Sequence, residues 1–193
     1  MVNVDFRRIA ILDRRSIALA LEKQNTNDHL NRAVGEWEKK AVNRGMDACY
    51  LRLYNVHQDT LDVIARSLSD STSIIVPYSI KYIPDTANGV HFRENDKVEA
   101  INPGKSLLRG KSCHSLESVK EAEQEGLDYV FFSPIFETAT HPGEKGVGLD
   151  MLHQVCHSTT IAVFALGGIN EENYKQCLEA GALGIAALSM FME

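Results

Sequence analysis

No stretch of the 193-residue sequence strings together the about 18 apolar residues needed to cross a bilayer. At the amino end, Asp5, Arg7 and Arg8 interrupt the chain before a secretory signal could form. Low-complexity tracts are absent, and the 44% hydrophobic, 24% charged composition is that of an ordinary globular chain. These absences predict a cytoplasmic protein with no membrane partner. Basic charge is scarce too: the formal net charge is −6 and the pI about 5.6. That argues against a nucleic-acid surface, although a local patch can still hold a small anion. The four cysteines, at positions 49, 113, 156 and 177, form no CxxC pair and lack histidines at zinc spacing, so they read as free thiols. A P-loop is missing as well. GKS occurs at Gly104–Ser106 and at Gly110–Ser112, but neither copy has the upstream glycine that a triphosphate cradle needs. What is left is a small-molecule partner and a chain of the right length for a single domain over residues 1–193.

The stretch from Ile161 to Ser189 is there in compensation, and the rest of the chain is arranged around it. Ile161 to Leu166 is an almost unbroken apolar run, which suits a parallel strand covered on both faces. Gly167 and Gly168 turn the backbone, Asn170 stands where a helix cap would be, and Tyr174, Cys177 and Leu178 fall on one helical face. Gly181 closes that helix, and Gly184 to Leu188 reads as the next buried strand. Together they make a βαβ unit. The chemistry expected of it lies at the two strand exits. Gly168 carries no side chain, so backbone N–H groups can approach a ligand, and Leu188 with Ser189 marks the second exit. Such amides with a helix N-terminus suit a phosphate, and neighbouring phosphate sites on the last two strands are a habit of eight-stranded barrels. Two ordinary tight turns would produce the same spacing.

Upstream the same grammar repeats. Arg8 to Asp13, Cys49 to Tyr54, Ser73 to Val76, Gly89 to Phe92, Leu107 to Ser112 and Tyr129 to Phe136 are predicted strands. Leu30, Val34, Trp37 and Ala41 form a helical stripe that stops at Gly45; Trp37 on it reads as core. Further stripes run over Leu61, Ile64, Ala65 and Leu68, then Leu116, Val119 and Ala122 behind a Ser115 cap, then Leu149 to His157. NRGMDACYL, QEGLDYVFF and EAGALGIAAL each read as a helix end, a glycine and entry into a buried strand. Eight strands result: a trimmed (β/α)8 TIM barrel, with short or missing outer helices around strands 3 to 5 and after strand 8. The missing last helix would bare an apolar flank and so suggests a homodimer. Arg52, on the second strand, needs an anion or a carboxylate beside it. The segment ETATHPGEKG from Glu137 suits a flap over a site.

GKSCHS at Gly110, DYVFFSPIF at Asp128, ALGGIN at Ala165 and EAGALGIAALS at Glu179 together resemble the thiamine phosphate synthase superfamily, including its thiazole tautomerase branch. The resemblance covers roughly the whole chain and is strongest from Gly110 onward. It implies a barrel that joins a pyrimidine diphosphate to a thiazole phosphate, or, in the other branch, tautomerises a thiazole carboxylate phosphate. By this likeness Gly168, Leu188 and Ser189 match the thiazole phosphate cradle, and Thr138 and Thr140 the flap threonines. Ser112 matches a diphosphate-contacting serine, Arg52 the arginine of the strand-two motif, and Asp96 a magnesium-binding aspartate.

Departures are as informative. The synthase motif on strand two reads glutamine, leucine, arginine, glutamate, lysine, whereas this chain has Tyr50, Leu51, Arg52, Leu53 and Tyr54. The family's asparagine and aspartate after strand three align with Pro77 and Tyr78, and its flap lysine with His141. Each lost charge contact to a departing diphosphate is worth about 2 to 4 kcal/mol. The expectation is therefore tautomerase-like proton transfer, with synthase activity proper, or phosphate binding without catalysis, as alternatives. The tautomerase histidine falls at Pro134, leaving His141, His91 and His114 as candidates to move a proton near the ligand. Magnesium is expected only if diphosphate chemistry is kept; the expected ligands are a thiazole phosphate and a pyrimidine diphosphate.

Overall fold

The computed structural model describes residues 4–18, 27–78, 82–98, 106–138, 143 and 145–192. Eight strands, β1 (Arg8–Asp13), β2 (Ala48–Arg52), β3 (Ser73–Pro77), β4 (Gly89–Phe92), β5 (Leu108–Cys113), β6 (Tyr129–Phe132), β7 (Ala162–Leu166) and β8 (Gly184–Ala187), close into a barrel in sequence order. Every neighbouring pair is parallel, β8 with β1 included. Helices α1 (Asn27–Asn43), α2 (Gln58–Ser67), α3 (Leu116–Gln124), α4 (Gly148–Ser158) and α5 (Tyr174–Glu179) follow β1, β2, β5, β6 and β7. The connections flanking β4 carry no helix among the described residues, and β8 runs into a 3₁₀ turn, Ser189–Phe191. This is the trimmed barrel that the sequence predicts. None of the described helices is long and apolar enough to cross a membrane.

Strand alternation divides the apolar residues into two bodies. Ile9, Ile11, Tyr50, Ile75, Tyr129, Phe131 and Phe164 fill the barrel, with Val4 and Phe6 packed against them from the segment before β1. A larger cluster lies between strands and helices; there α1 buries Leu30, Val34, Trp37 and Ala41, and α2 buries Leu61, Ile64 and Ala65. Leu178 departs from expectation. Cys177 is fully buried, but Leu178, about 100° further round the short helix α5, is 41% exposed.

The recurring sequence phrase has one structural cause. After α1, α3 and α5 a positive-φ glycine (Gly45, Gly126, Gly181) lets two successive amides turn back onto the last helical carbonyls. Gly45 N bonds Val42 O and Met46 N bonds Ala41 O; Gly126 and Leu127, and Gly181 and Ala182, repeat the pattern. The aspartate two residues later in the first two copies pins the neighbouring strand. The Asp47 carboxylate accepts the amides of Arg7 and Arg8, each at 2.8 Å, and Asp128 accepts that of Arg109. In the third copy Leu183 stands there and Gly184 enters the sheet directly.

Closure occurs beside the 3₁₀ turn. Met190 and Phe191 are buried there, and Arg44 Nη1 donates to the Met190 carbonyl. Arg8 threads the same groove. Its guanidinium lies 4.9 Å from the Tyr174 ring and 5.8 Å from that of Phe191, and bonds Glu171 Oε1 at 3.1 Å.

Candidate functional site

At the carboxyl ends of β1, β2, β7 and β8 lies a cleft of about 390 Å³. Arg15 and Arg52 stand on one wall, Gly167 to Asn170 and Ala187 to Ser189 on the other, with Glu137 and Thr138 at the rim.

The β1 exit is built on Asp13. Its Oδ1 accepts the amides of Arg15 and Ser16 and the Ser16 hydroxyl, while Oδ2 takes Arg52 Nη2 at 3.2 Å and lies 3.5 Å from Arg15 Nε. Burial works to raise the Asp13 pKa, but the Ser16 amide, Arg52 and the Ser16 hydroxyl outweigh it and hold the carboxyl below its ordinary value. The carboxylate that Arg52 requires is thus supplied from within the chain. One of the two cationic charges on that wall is already balanced.

At the β7 exit the glycines answer to neighbouring backbone. A Cβ on Gly167 would stand 2.8 Å from Pro134 Cα, and one on Gly168 2.4 Å from the Glu137 carbonyl. Both residues have positive φ. Ile135 N and Phe136 N bond the carbonyls of Leu166 and Gly167, which sews the β6 exit onto β7. This corrects the extent of β6: the strand predicted to reach Phe136 ends at Phe132, because Pro134 has no N–H for the ladder. A second correction concerns the cap. Asn170 Oδ1 accepts the amides of Glu172 and Asn173, fixing a turn, and α5 begins only at Tyr174. Asn173 locks that turn from the other side: its Nδ2 donates to Gly168 O and its Oδ1 accepts from Asn170 N. The six-residue α5 offers no helix N-terminus to an anion, so the cleft's donors are those of the turn, the two arginines and Ser189.

Of the residues singled out from sequence, Arg52, Thr138, Gly168, Leu188 and Ser189 share this cleft. Thr140 and His141 lie outside the described residues. Ser112 and His91 meet inside the barrel: Ser112 Oγ is 2.9 Å from His91 Nε2, and His91 Nδ1 is 3.3 Å from the Tyr129 hydroxyl. His91 is 2% exposed and burial pushes its pKa down to about 3, so this imidazole is neutral and does not line the cleft. Both its ring nitrogens are taken up by hydrogen bonds within the barrel. His114, on the exposed side of β5, directs Nδ1 at the Ser133 carbonyl, 2.6 Å away. Asp96 accepts the Arg93 amide within its own turn, and among the described residues no three His, Cys, Asp or Glu side chains come together to hold a metal. Magnesium is usually held by one or two carboxylates plus substrate phosphates, so Asp96 by itself makes no cage.

Sequence reasoning missed Arg15, Asn173 and the structural role of Asp13. A basic pair after an apolar strand, Arg14 and Arg15, carries no signal beyond solubility. An Asx pattern over Asn170 to Asn173 was the available clue to the locked turn.

A closed parallel barrel with an arginine-lined cleft over its first two and last two strands defines a (β/α)8 protein whose cleft sits at the face where such barrels carry their chemistry. The particular family follows from comparison with known proteins. The sequence profile described as thiamine monophosphate synthase matches residues 23–191, and the chain belongs to that family. A curated relative from Aquifex aeolicus is 46% identical over 111 residues, 55% of this chain and 59% of that protein. The chain likewise spans 50% of the thiamine-phosphate synthase of Coprothermobacter proteolyticus, at 40% identity, so it covers little more than half the length of these two relatives. The thiamine-phosphate synthase of Clostridium acetobutylicum matches at 30% identity across 98% of this chain and 88% of its own. Among solved structures, the thiamine phosphate pyrophosphorylase of Pyrococcus furiosus superposes with a TM-score of 0.70 over 95% of this chain and 86% of that one, at 24% identity, a likeness of fold.

Proposed function

We propose that this protein binds a thiazole phosphate in the cleft above β7 and β8 and joins it to a pyrimidine diphosphate, releasing diphosphate. The observation that carries the reading is the cleft itself: two arginines face a glycine turn and Ser189 across a space of about 390 Å³, at the end of the barrel suited to phosphate esters. Family membership and the name of the Clostridium relative support the coupling over the tautomerisation favoured by the departures on β2. Arg52, on the cleft wall, would meet charge developing on the departing diphosphate. The test is direct: incubate the protein with pyrimidine diphosphate, thiazole phosphate and magnesium and follow thiamine phosphate. Turnover is expected, with Arg52→Ala slowing it about 100-fold or more. Absence of product across a range of magnesium concentrations defeats the proposal.

A second reading rests on the charge balance at Asp13. With Arg15 and Arg52 offset by one carboxylate, that wall keeps a single net positive charge, which suits one phosphate better than several. In that case the protein moves a proton on the thiazole phosphate. His114 is then the carrier, because Ser133 O fixes Nδ1 and leaves the other ring nitrogen unpartnered among the described residues. Aromatisation of a thiazole carboxylate phosphate that His114→Gln abolishes, without any thiamine phosphate formation, would establish it.

A further inference from the structure

The interior of the barrel carries a polar chain that the cleft chemistry does not use, and its direction can be worked out. Tyr129 is fully buried, and its hydroxyl has one hydrogen-bond partner among the described residues, His91 Nδ1. A buried phenol needs an acceptor for its proton, since leaving it unpaired costs about 1 to 3 kcal/mol. Nδ1 is therefore the unprotonated nitrogen, and the proton of the neutral ring resides on Nε2. Nε2–H must then donate to its neighbour, Ser112 Oγ. The Ser112 hydroxyl has no other hydrogen-bond partner among the described residues, and the residue is half-buried, two positions along β5 from Gly110, which pairs with His91. Its hydroxyl proton is left to be given outward, toward the carboxyl face.

The surroundings hold this arrangement rigid. Gly110 makes room for the Tyr129 ring: a Cβ there would stand 2.0 Å from Tyr129 Cζ. The imidazole is stacked 4.1 Å from Phe131 and tilted against Tyr50 at 5.0 Å, which restricts rotation of the ring. The first three letters of the GKSCHS phrase thus divide the work. Gly110 admits the tyrosine, Lys111 points out to Glu125, and Ser112 ends the chain.

We propose that Tyr129 and His91 are positioning residues that leave the Ser112 hydroxyl proton free to be donated outward, so that the face above β5 suits ligand atoms with free lone pairs, as in a phosphate or diphosphate oxygen. This rests on the proposed function for the identity of the ligand, but the direction of the chain does not. Two measurements separate them. Two-bond ¹⁵N–¹H correlations on selectively labelled protein are expected to give the Nε2–H tautomer for His91 in the ligand-free state; an Nδ1–H tautomer overturns the relay whatever the protein binds. Titration with inorganic diphosphate is expected to show binding weakened about tenfold by Ser112→Ala. Tyr129→Phe, which keeps the ring in its slot, is expected to weaken it several-fold by freeing the tautomer. The double variant should then bind no worse than Ser112→Ala alone. Fully additive losses, or a Tyr129→Phe protein that binds like wild type, refute the relay. If wild type shows no diphosphate binding while the Nε2–H tautomer is found, the relay stands and the functional reading falls.

Discussion

At the scale of single residues, His91 inside the barrel and Asp13 at the cleft both shape how the protein answers acid. His91 is neutral in the folded state, with its pKa depressed from 6.5 to about 3 by burial. Below pH 6.5 the unfolded chain takes up a proton there that the folded chain refuses. Stability is intact above that value and falls as the pH drops toward 3, by about 1.4 kcal/mol per pH unit from this group. Urea unfolding of wild type and His91→Asn across that window measures it: the variant is expected to lose this part of the slope. Asp13 behaves in the same sense at lower pH, since its folded pKa lies below the ordinary 3.8. Its contribution is present above that value and is lost as the pH falls through the folded one. At neutral pH, Asp13→Asn is expected to lower the melting temperature yet to tighten inorganic phosphate binding several-fold, because Arg15 and Arg52 lose their resident counter-charge; unchanged or weaker binding by calorimetry contradicts this. Little of it was legible in the sequence. His91 read as a candidate to move a proton and Asp13 as the end of a strand, and only the fold shows which atoms face them.

At the scale of elements, the sequence was most legible where a single physical requirement governs a position. Apolar runs covered on both faces read as strands, and Gly45, Gly126 and Gly181 read as helix ends because only a residue tolerant of positive φ closes those turns. Legibility failed where two elements negotiate a position between them. Gly168 reads as a ligand-facing glycine and lines the cleft, but nothing in the sequence signals that its missing Cβ also makes room for the Glu137 carbonyl, 2.4 Å from where that carbon would stand. β6 stops early because the proline after it belongs to a loop hydrogen-bonded onto β7. Gly168→Ala is accordingly expected to push the β6 and β7 exits apart, with a stability loss of about 1 to 3 kcal/mol and weaker phosphate binding, both read from denaturant titrations with and without inorganic phosphate. A variant that binds phosphate normally with unaltered stability would show that the two exits are not coupled.

At the scale of the whole molecule, the trimming of the outer layer shifts weight onto a few residues. No eighth helix follows β8 among the described residues; Phe191, fully buried, takes its place against Arg8. Phe191→Ala is expected to cost about 3 to 5 kcal/mol, a large share of the stability of a chain this size, visible as a drop in the urea midpoint. A loss below about 1 kcal/mol would mean the groove can collapse around the gap.

The seam between β8 and β1 has a temporal side. Ribosomes make a chain from its amino end, so Arg8 to Asp13 exists long before Ile185, whose amide bonds the Arg7 carbonyl. Until then the nascent sheet is open, with β1 and the most recent strand each baring an unpaired row of amides and carbonyls. Newborn copies are therefore at their most adhesive until β8 has been made, and chaperone demand should fall once Gly184–Ala187 has emerged and paired with β1.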